Sequence, residues 1–88
     1  MVTREVAITN QLGLHARAAA RFVRLASQFA ASVRVARGSR ELDGKSILGL
    51  LLLGAARGST IIIRADGADA EAAVAALAAL VADGFGES

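Results

Sequence analysis

The chain has 88 residues, of which 55% are hydrophobic, a net charge of +2 and no cysteine. This length suits a single domain over residues 1–88, and without cysteine neither a disulfide framework nor a thiolate metal site is expected, which favours the reducing cytoplasm. The apolar stretch at 47–56 is shorter than the roughly 20 residues of a membrane span, and three phenylalanines without tyrosine or tryptophan offer little stacking surface for nucleic acid, so neither partner is expected.

The first half of the chain predicts a strand, a helix and a hairpin. Alternating apolar residues indicate a strand over Val2–Ile8, and the period becomes helical over Ala16–Ala30. Alternation returns over Ser32–Arg37, and a tight turn at Gly38-Ser39 leads into a short strand, Arg40–Leu42. These last two strands are therefore expected to pair as a hairpin.

The predicted first helix has an apolar face and a basic face. Helical spacing indicates that the apolar face packs on the core. It comprises Ala19, Phe22, Val23, Ala26 and Phe29. The basic face comprises Arg17, Arg21, Arg24 and Gln28. By default, a face of this kind is a solvated surface.

The second half of the chain predicts a helix, a strand and a last helix. After a turn at Asp43-Gly44, residues Ser46–Gly54 form a short helix with Ser46 as its N-cap. The β-branched run Thr60–Ala65 is typical of a strand, and Asp69–Asp83 forms a last helix with Asp69 as its N-cap. The order β-α-β-β-α-β-α predicts an α/β (α+β) two-layer open-faced sandwich with the helices on one face of a mainly antiparallel sheet.

The single histidine, His15, lies where the loop after the first strand meets the first helix. Gly13 permits a sharp turn into that helix, and His15 falls at or near its N-cap. The first N–H groups of a helix have no internal partners and, with the helix dipole, form an anion site. A neutral imidazole there is a nucleophile whose phosphorylated form these amides stabilise, and Arg17 is within reach of the phosphate oxygens.

Other interpretations of His15 are weaker or less specific. A metal centre is not expected, because there is no second histidine or cysteine. A catalytic triad is not expected either, because no serine is indicated as its partner. On pattern alone, an ordinary polar surface histidine remains an alternative.

Two motifs resemble those of a known family. Gly13-Leu14-His15-Ala16-Arg17 is similar to the active-site signature of the HPr family, the histidine-containing phosphocarriers of the bacterial phosphoenolpyruvate-dependent phosphotransferase system. Residues 44–50, GKSILGL, resemble the signature around the family's regulatory serine, at the usual separation from the first. The resemblance implies a four-stranded antiparallel sheet of order 1-4-2-3 and three helices. The family usually has proline where this chain has Ala18, so we expect a slightly looser helix start with the chemistry retained.

The resemblance implies a monomeric phosphoryl carrier without a cofactor, an intermediate in transfer rather than a stand-alone turnover enzyme. His15 is then expected to take a phosphoryl group on Nδ1 from enzyme I, itself charged by phosphoenolpyruvate. It passes the group to A-type enzyme II domains, in the sugar-uptake or the nitrogen-regulatory branch, which the sequence does not separate. Ser46 resembles the serine that a dedicated kinase, paired with a phosphorylase, modifies in some bacterial lineages.

The short second helix is apolar nearly all round, so part of it must face solvent or a partner. In the family, the outward side of this helix docks on enzyme I and on the enzyme II domains. Carried over by position, the contact set comprises Ala16, Arg17, Ala20, Arg21, Arg24, Ile47, Leu48 and Leu51. We expect its arginines to steer acidic partners toward the protein and its apolar side chains to form the desolvated centre of the interface.

Two further functions are compatible with the same fold. One is a purely regulatory module in which phosphorylated Ser46 controls a partner such as a transcription factor, although family members with that role lack the histidine. The other is a small ligand-binding domain without transfer chemistry. Replacement of His15 without loss of function would favour the latter.

Overall fold

The computed structural model describes residues 1–87. In chain order the elements are β1 (Val2–Ala7), α1 (Ala16–Ala26), β2 (Ser32–Arg37), β3 (Arg40–Asp43), α2 (Ile47–Leu53), β4 (Thr60–Asp66) and α3 (Ala70–Ala82). The strands form one antiparallel sheet of order β1-β4-β2-β3, which confirms the predicted topology. A 3₁₀ turn at Gly84–Gly86 follows α3 and was not predicted.

The core lies between the sheet and the helices. Strand alternation places Val33 and Val35 of β2 on the inner face, where both are buried, while Arg34 between them is exposed. The predicted apolar stripe of α3 is also buried. It comprises Ala70, Ala73, Val74, Leu77 and Val81. The opposite face of the sheet is open, as the term open-faced sandwich requires.

The first helix is shorter than predicted. It ends at Ala26 with Ser27 as its C-cap, four residues before the predicted end at Ala30. Beyond it the chain turns toward β2, and Phe29 packs against the core from this turn rather than from the helix. The apolar spacing continues beyond Ala26 in the sequence because this turn also packs a partly buried aromatic side chain against the core.

Asp69 precedes α3 as predicted, but its side chain does not cap that helix. Its two carboxylate oxygens accept from the backbone N–H groups of Ala30 and Ala31, each at 2.8 Å. These hydrogen bonds lower the pKa of Asp69 below its usual value. The carboxylate therefore ties the turn after α1 to the start of α3, a contact across 38 and 39 residues of sequence.

The second helix begins and ends as predicted. The Ser46 hydroxyl accepts from the backbone N–H of Gly49 at 3.0 Å, and Gly54 ends the helix in the left-handed conformation with φ +67°. Leu50 and Leu53 are buried against the core, whereas the other leucines of the helix are exposed. Within residues 1–87, no helix has both the length and the apolar character that crossing a membrane requires.

Candidate functional site

His15 is the N-cap residue of α1, as its position in the sequence predicted. Its backbone is extended, with φ −82° and ψ −178°, and its Nδ1 accepts a hydrogen bond from the backbone N–H of Arg17 at 3.3 Å. The side chain is 26% exposed. The Nδ1 lone pair therefore lies at the free amides of a helix N-terminus, where the helix dipole favours negative charge.

The loop that carries His15 rests on the segment that follows α2. The Leu14 N–H donates to the Ala55 carbonyl at 2.9 Å, and the Leu14 side chain is buried. Gly13 has φ +66°, and a Cβ at this position would lie 2.7 Å from the Ala55 carbonyl oxygen and 2.9 Å from Ala56 Cα. Only glycine fits this approach, so the need for Gly13 arises from both its conformation and its surroundings.

The other imidazole nitrogen of His15 contacts a carboxylate. Nε2 lies 2.6 Å from Oε2 of Glu87, and Oε1 of the same carboxylate accepts from the Asn10 side-chain amide at 2.9 Å. The hydrogen bond from Asn10, and after it the one from His15, lowers the pKa of Glu87 below its usual value, against the opposing effect of desolvation. The contact joins an imidazole nitrogen to a carboxylate oxygen at hydrogen-bond distance, and its donor depends on the tautomer of His15.

Glu87 is brought to His15 by the 3₁₀ turn after α3. Phe85 at the centre of the turn is fully buried and adopts a left-handed backbone, with φ +59°, between two glycines. The Arg21 guanidinium donates to the Phe85 carbonyl oxygen. Arg21 was predicted to serve the partner surface, but in the structure it is half-buried and also fastens this turn.

Sequence reasoning did not identify Asn10 or Glu87 as members of the site. Asn10 was interpreted only as part of the break after the first strand. Glu87 lies beyond the last predicted helix. The available signal was Phe85, a lone large apolar residue between two glycines, which is typical of a side chain that anchors an irregular segment to the core.

Both arginine and carboxylate side chains surround His15. An open cleft beside it is lined by several polar side chains, among them Arg17, Arg21 and Arg57. Arg17 is exposed and has its backbone N–H on His15 Nδ1, so its guanidinium is free to turn toward an anion placed there. Among the described residues no cluster of histidine, cysteine or carboxylate side chains is suited to hold a metal ion.

The predicted partner surface lies on α1 and α2, which pack against each other. On α2, Ile47, Leu48 and Leu51 are 42%, 66% and 39% exposed. On α1, Ala16, Arg17 and Arg24 are exposed, and Ala20 and Arg21 are half-buried. The prediction that part of α2 faces outward is confirmed. Helical spacing places Ile47, Leu48 and Leu51 on one side of the helix.

The fold and the site are those of a small open-faced sandwich with a histidine as the N-cap of its first helix and an arginine beside it. The family model described as "PTS HPr component phosphorylation site" matches residues 2–83. The chain therefore belongs to the HPr family of phosphocarrier proteins.

Individual relatives agree with this assignment. The chain is 46% identical to the phosphocarrier protein HPr of Cupriavidus necator, covering 99% of this chain and 98% of the relative. It is 45% identical to the phosphocarrier protein NPr of Shewanella violacea, covering 97% and 93%. A crystal structure of HPr from Thermoanaerobacter tengcongensis superimposes with a TM-score of 0.96 at 39% identity, covering 100% and 99%. A second structure from that organism is of an HPr dimer.

Proposed function

We propose that His15 carries the phosphoryl group of this phosphocarrier, receiving it from phosphorylated enzyme I and donating it to A-type enzyme II domains. The observation that supports this most directly is that the two imidazole nitrogens have different contacts. Nε2 is occupied by Glu87, while the Nδ1 lone pair faces the first N–H groups of α1. An incoming phosphoryl group thus has one nucleophilic atom available and an anion site around that atom.

In the proposed step, the lone pair of Nδ1 forms a bond to phosphorus while the bond from phosphorus to the donor breaks. The hydrogen on Nε2 stays in place, and the positive charge that develops on the ring is offset by the Glu87 carboxylate. The Arg17 N–H, which donated to the Nδ1 lone pair, then donates to the phosphate oxygens, as does the Arg17 guanidinium. Discharge reverses these changes, and the electron pair returns to Nδ1. Positioning and charge are what phosphoryl transfer chiefly requires.

We propose that partners dock on the exposed faces of α1 and α2. Ile47, Leu48 and Leu51 offer an apolar centre, and Arg17 and Arg24 lie exposed on the neighbouring helix. Interfaces of this composition combine a desolvated core with electrostatic steering of an acidic partner. The proximity of both helices to His15 supports the assignment of this surface to enzyme I and to the A-type domains.

We propose that Ser46 is a regulatory position, modified by a kinase and restored by a phosphorylase where the organism has them. Its hydroxyl caps α2, immediately before the exposed residues Ile47 and Leu48. A phosphate at a helix N-terminus is tolerated locally, because the helix dipole favours it. The same phosphate adds negative charge next to a surface that attracts acidic partners and thereby weakens docking.

We place the protein in the cytoplasm, where the proposed donor and acceptors meet it, and expect it to act as a monomer. The branch it serves, sugar uptake or nitrogen regulation, is assigned by its acceptor. Light scattering of the protein as it elutes from a size-exclusion column tests the oligomeric state. Comparison of the transfer rates to A-type domains of the two branches identifies the acceptor.

The experiment that tests the transfer function is a relay reconstituted from purified components. Phosphoenolpyruvate and enzyme I are expected to load one phosphoryl group per chain, an acid-labile mass increase of about 80 Da. Addition of an A-type domain is expected to discharge it. His15→Ala abolishes loading, whereas Arg17→Ala slows it. Loading of the His15→Ala protein at the wild-type rate would contradict the proposal.

A further inference from the structure

The Glu87 carboxylate is shared between two donors that lie far from it in the sequence. Oε2 lies 2.6 Å from Nε2 of His15, and Oε1 accepts from the Asn10 amide at 2.9 Å, across 72 and 77 residues. Both contacts are partly buried, and the Glu87 side chain is only 18% exposed. Hydrogen bonds to an ionised acceptor are stronger than neutral ones and are weakened less by water when partly buried.

Asn10 connects this carboxylate to the loop that carries the histidine. Its side-chain Nδ2 donates both to Glu87 and to the Gly13 carbonyl, the latter at 2.8 Å. The backbone carbonyl of Asn10 accepts from the Gly13 N–H at 3.1 Å. Asn10 is the buried polar side chain of the described part of the chain, with 7% of its surface exposed. The carboxylate and the backbone before His15 are therefore held to one rigid group.

The orientation of the Asn10 amide is determined by its neighbours. Oδ1 is buried and has no hydrogen-bond partner within residues 1–87. A flipped amide would nevertheless place this oxygen against two acceptors, the Gly13 carbonyl and the Glu87 carboxylate. The orientation in the structure keeps both donations of Nδ2 and thereby connects Glu87 to the histidine loop.

The segment that supplies Glu87 is itself fixed. The fully buried Phe85 side chain anchors it, the Arg21 guanidinium binds the Phe85 carbonyl oxygen, and the Glu87 N–H donates to Gly84 at 3.1 Å. A side chain on so constrained a backbone meets His15 with little loss of conformational entropy. The contact is thus a built feature of the fold.

From these contacts we propose that Glu87, seated by Asn10, is a positioning residue that keeps the His15 proton on Nε2 and the lone pair on Nδ1. The inference rests on the proposed transfer function of His15 and deepens it. A histidine whose second nitrogen donates to a carboxylate has its tautomer and ring orientation determined by that contact, as in metal sites and catalytic triads. The nucleophilic atom is then set before any partner arrives.

The same contact also affects the loaded state. When Nδ1 bonds to phosphorus and the donor bond breaks, the ring becomes cationic while the hydrogen remains on Nε2. The Glu87 carboxylate stabilises that hydrogen and its charge, so no proton must be exchanged with solvent in either direction of transfer. Glu87 touches neither phosphorus nor Nδ1 and acts only through the imidazole.

The test uses Glu87→Gln, which keeps the size of the side chain and removes its charge, with Glu5→Gln on the exposed strand β1 as a matched control. Nitrogen-15 NMR of the unphosphorylated protein, at a pH where the imidazole is neutral, reports the tautomer directly. Wild type and Glu5→Gln are expected to show the hydrogen on Nε2. Glu87→Gln is expected to show a mixture of tautomers.

Transfer from phosphorylated enzyme I is expected to slow about tenfold in Glu87→Gln, as loss of one modest charge-assisted hydrogen bond would give. Asn10→Ala, which keeps the Glu87 carboxylate but removes the hydrogen bond that holds it, is expected to shift the tautomer ratio in the same direction. Glu87→Asp, one methylene shorter, is expected to recover part of the wild-type spectrum. Amide spectra check that each variant is folded.

Wild-type nitrogen shifts and transfer rates in folded Glu87→Gln would overturn the inference. That result leaves the transfer function intact, provided that His15→Ala remains inactive. Conversely, if the wild-type protein is not loaded at His15, the proposed function fails, whereas the tautomer measurement still decides the role of Glu87. The two hypotheses are therefore tested by separate readouts.

Discussion

Replacement of Gly13 by alanine is the sharpest structural perturbation of the histidine loop. The residue has φ +66°, and an added Cβ would lie 2.7 Å from the Ala55 carbonyl oxygen and 2.9 Å from Ala56 Cα. Both neighbours are backbone atoms, which have no rotamer with which to withdraw. The loop must therefore move away from residues 55–56, and the hydrogen bond from Leu14 N–H to Ala55 is strained or lost.

Gly38 provides a matched control for the magnitude of this effect. It has nearly the same conformation, φ +59°, but no atom of the described residues lies within 4 Å of its added Cβ. Gly38→Ala is expected to cost about 1–2 kcal/mol, the strain of a Cβ in the left-handed region. Gly13→Ala adds an overpacking cost of about 1–3 kcal/mol. The difference between the two variants isolates the clash with residues 55–56.

Urea unfolding of the two variants measures the free energies, and transfer from phosphorylated enzyme I measures the function. Gly38→Ala is expected to transfer at the wild-type rate. Gly13→Ala is expected to transfer at least about tenfold more slowly, because displacing a reacting group by about 1 Å is costly. Equal stabilities together with wild-type transfer in Gly13→Ala would refute the idea that this glycine seats the histidine loop.

Three other perturbations test the partner surface and the fold. Ser46→Asp is expected to slow phosphorylation by enzyme I while leaving the fold intact. Ser39→Asp, in the hairpin turn, is expected to be phosphorylated at the wild-type rate. Equal rates in the two variants would count against a regulatory Ser46. Leu48→Ala is expected to weaken enzyme I binding about tenfold, as for an interface hot spot, but Leu52→Ala, 58% exposed and outside the predicted contact set, is not; equal losses would contradict the assigned face. The pKa of the Asp69 carboxyl is lowered by two backbone N–H donors. The stability that this carboxylate contributes is therefore fully present above the pKa that Asp69 has in the unfolded chain, and it is lost as pH falls below about 4. Asp69→Asn is therefore expected to be less stable at neutral pH and to lose less stability on acidification, and parallel acid-unfolding curves would argue against this.

Features that depend on neighbouring residues could be predicted from the sequence. The N-cap positions of His15 and Ser46, the left-handed Gly54 and the alternation of β2 each arise from contacts within a few residues. The resemblance to the HPr family supplied the strand order, because pairing between distant strands has no local signal.

Features that depend on distant residues could not be predicted in this way. Asp69 has the residue type of an N-cap, but two backbone N–H groups from the turn after α1 compete for its carboxylate and win. The contacts of Glu87 with His15 and Asn10 span more than 70 residues. Asn10 has the residue type of a turn, and nothing in its surroundings along the chain reveals that its side chain is buried with Nδ2 hydrogen-bonded to Gly13 and Glu87.

The most direct test of the proposed function is to locate the phosphoryl group on the loaded protein. Nitrogen-15 and phosphorus NMR of the protein loaded by enzyme I is expected to show one phosphoryl group, bonded to Nδ1 of His15, with the hydrogen on Nε2. Attachment to Nε2, or to another residue, would contradict the roles assigned here to the two imidazole nitrogens.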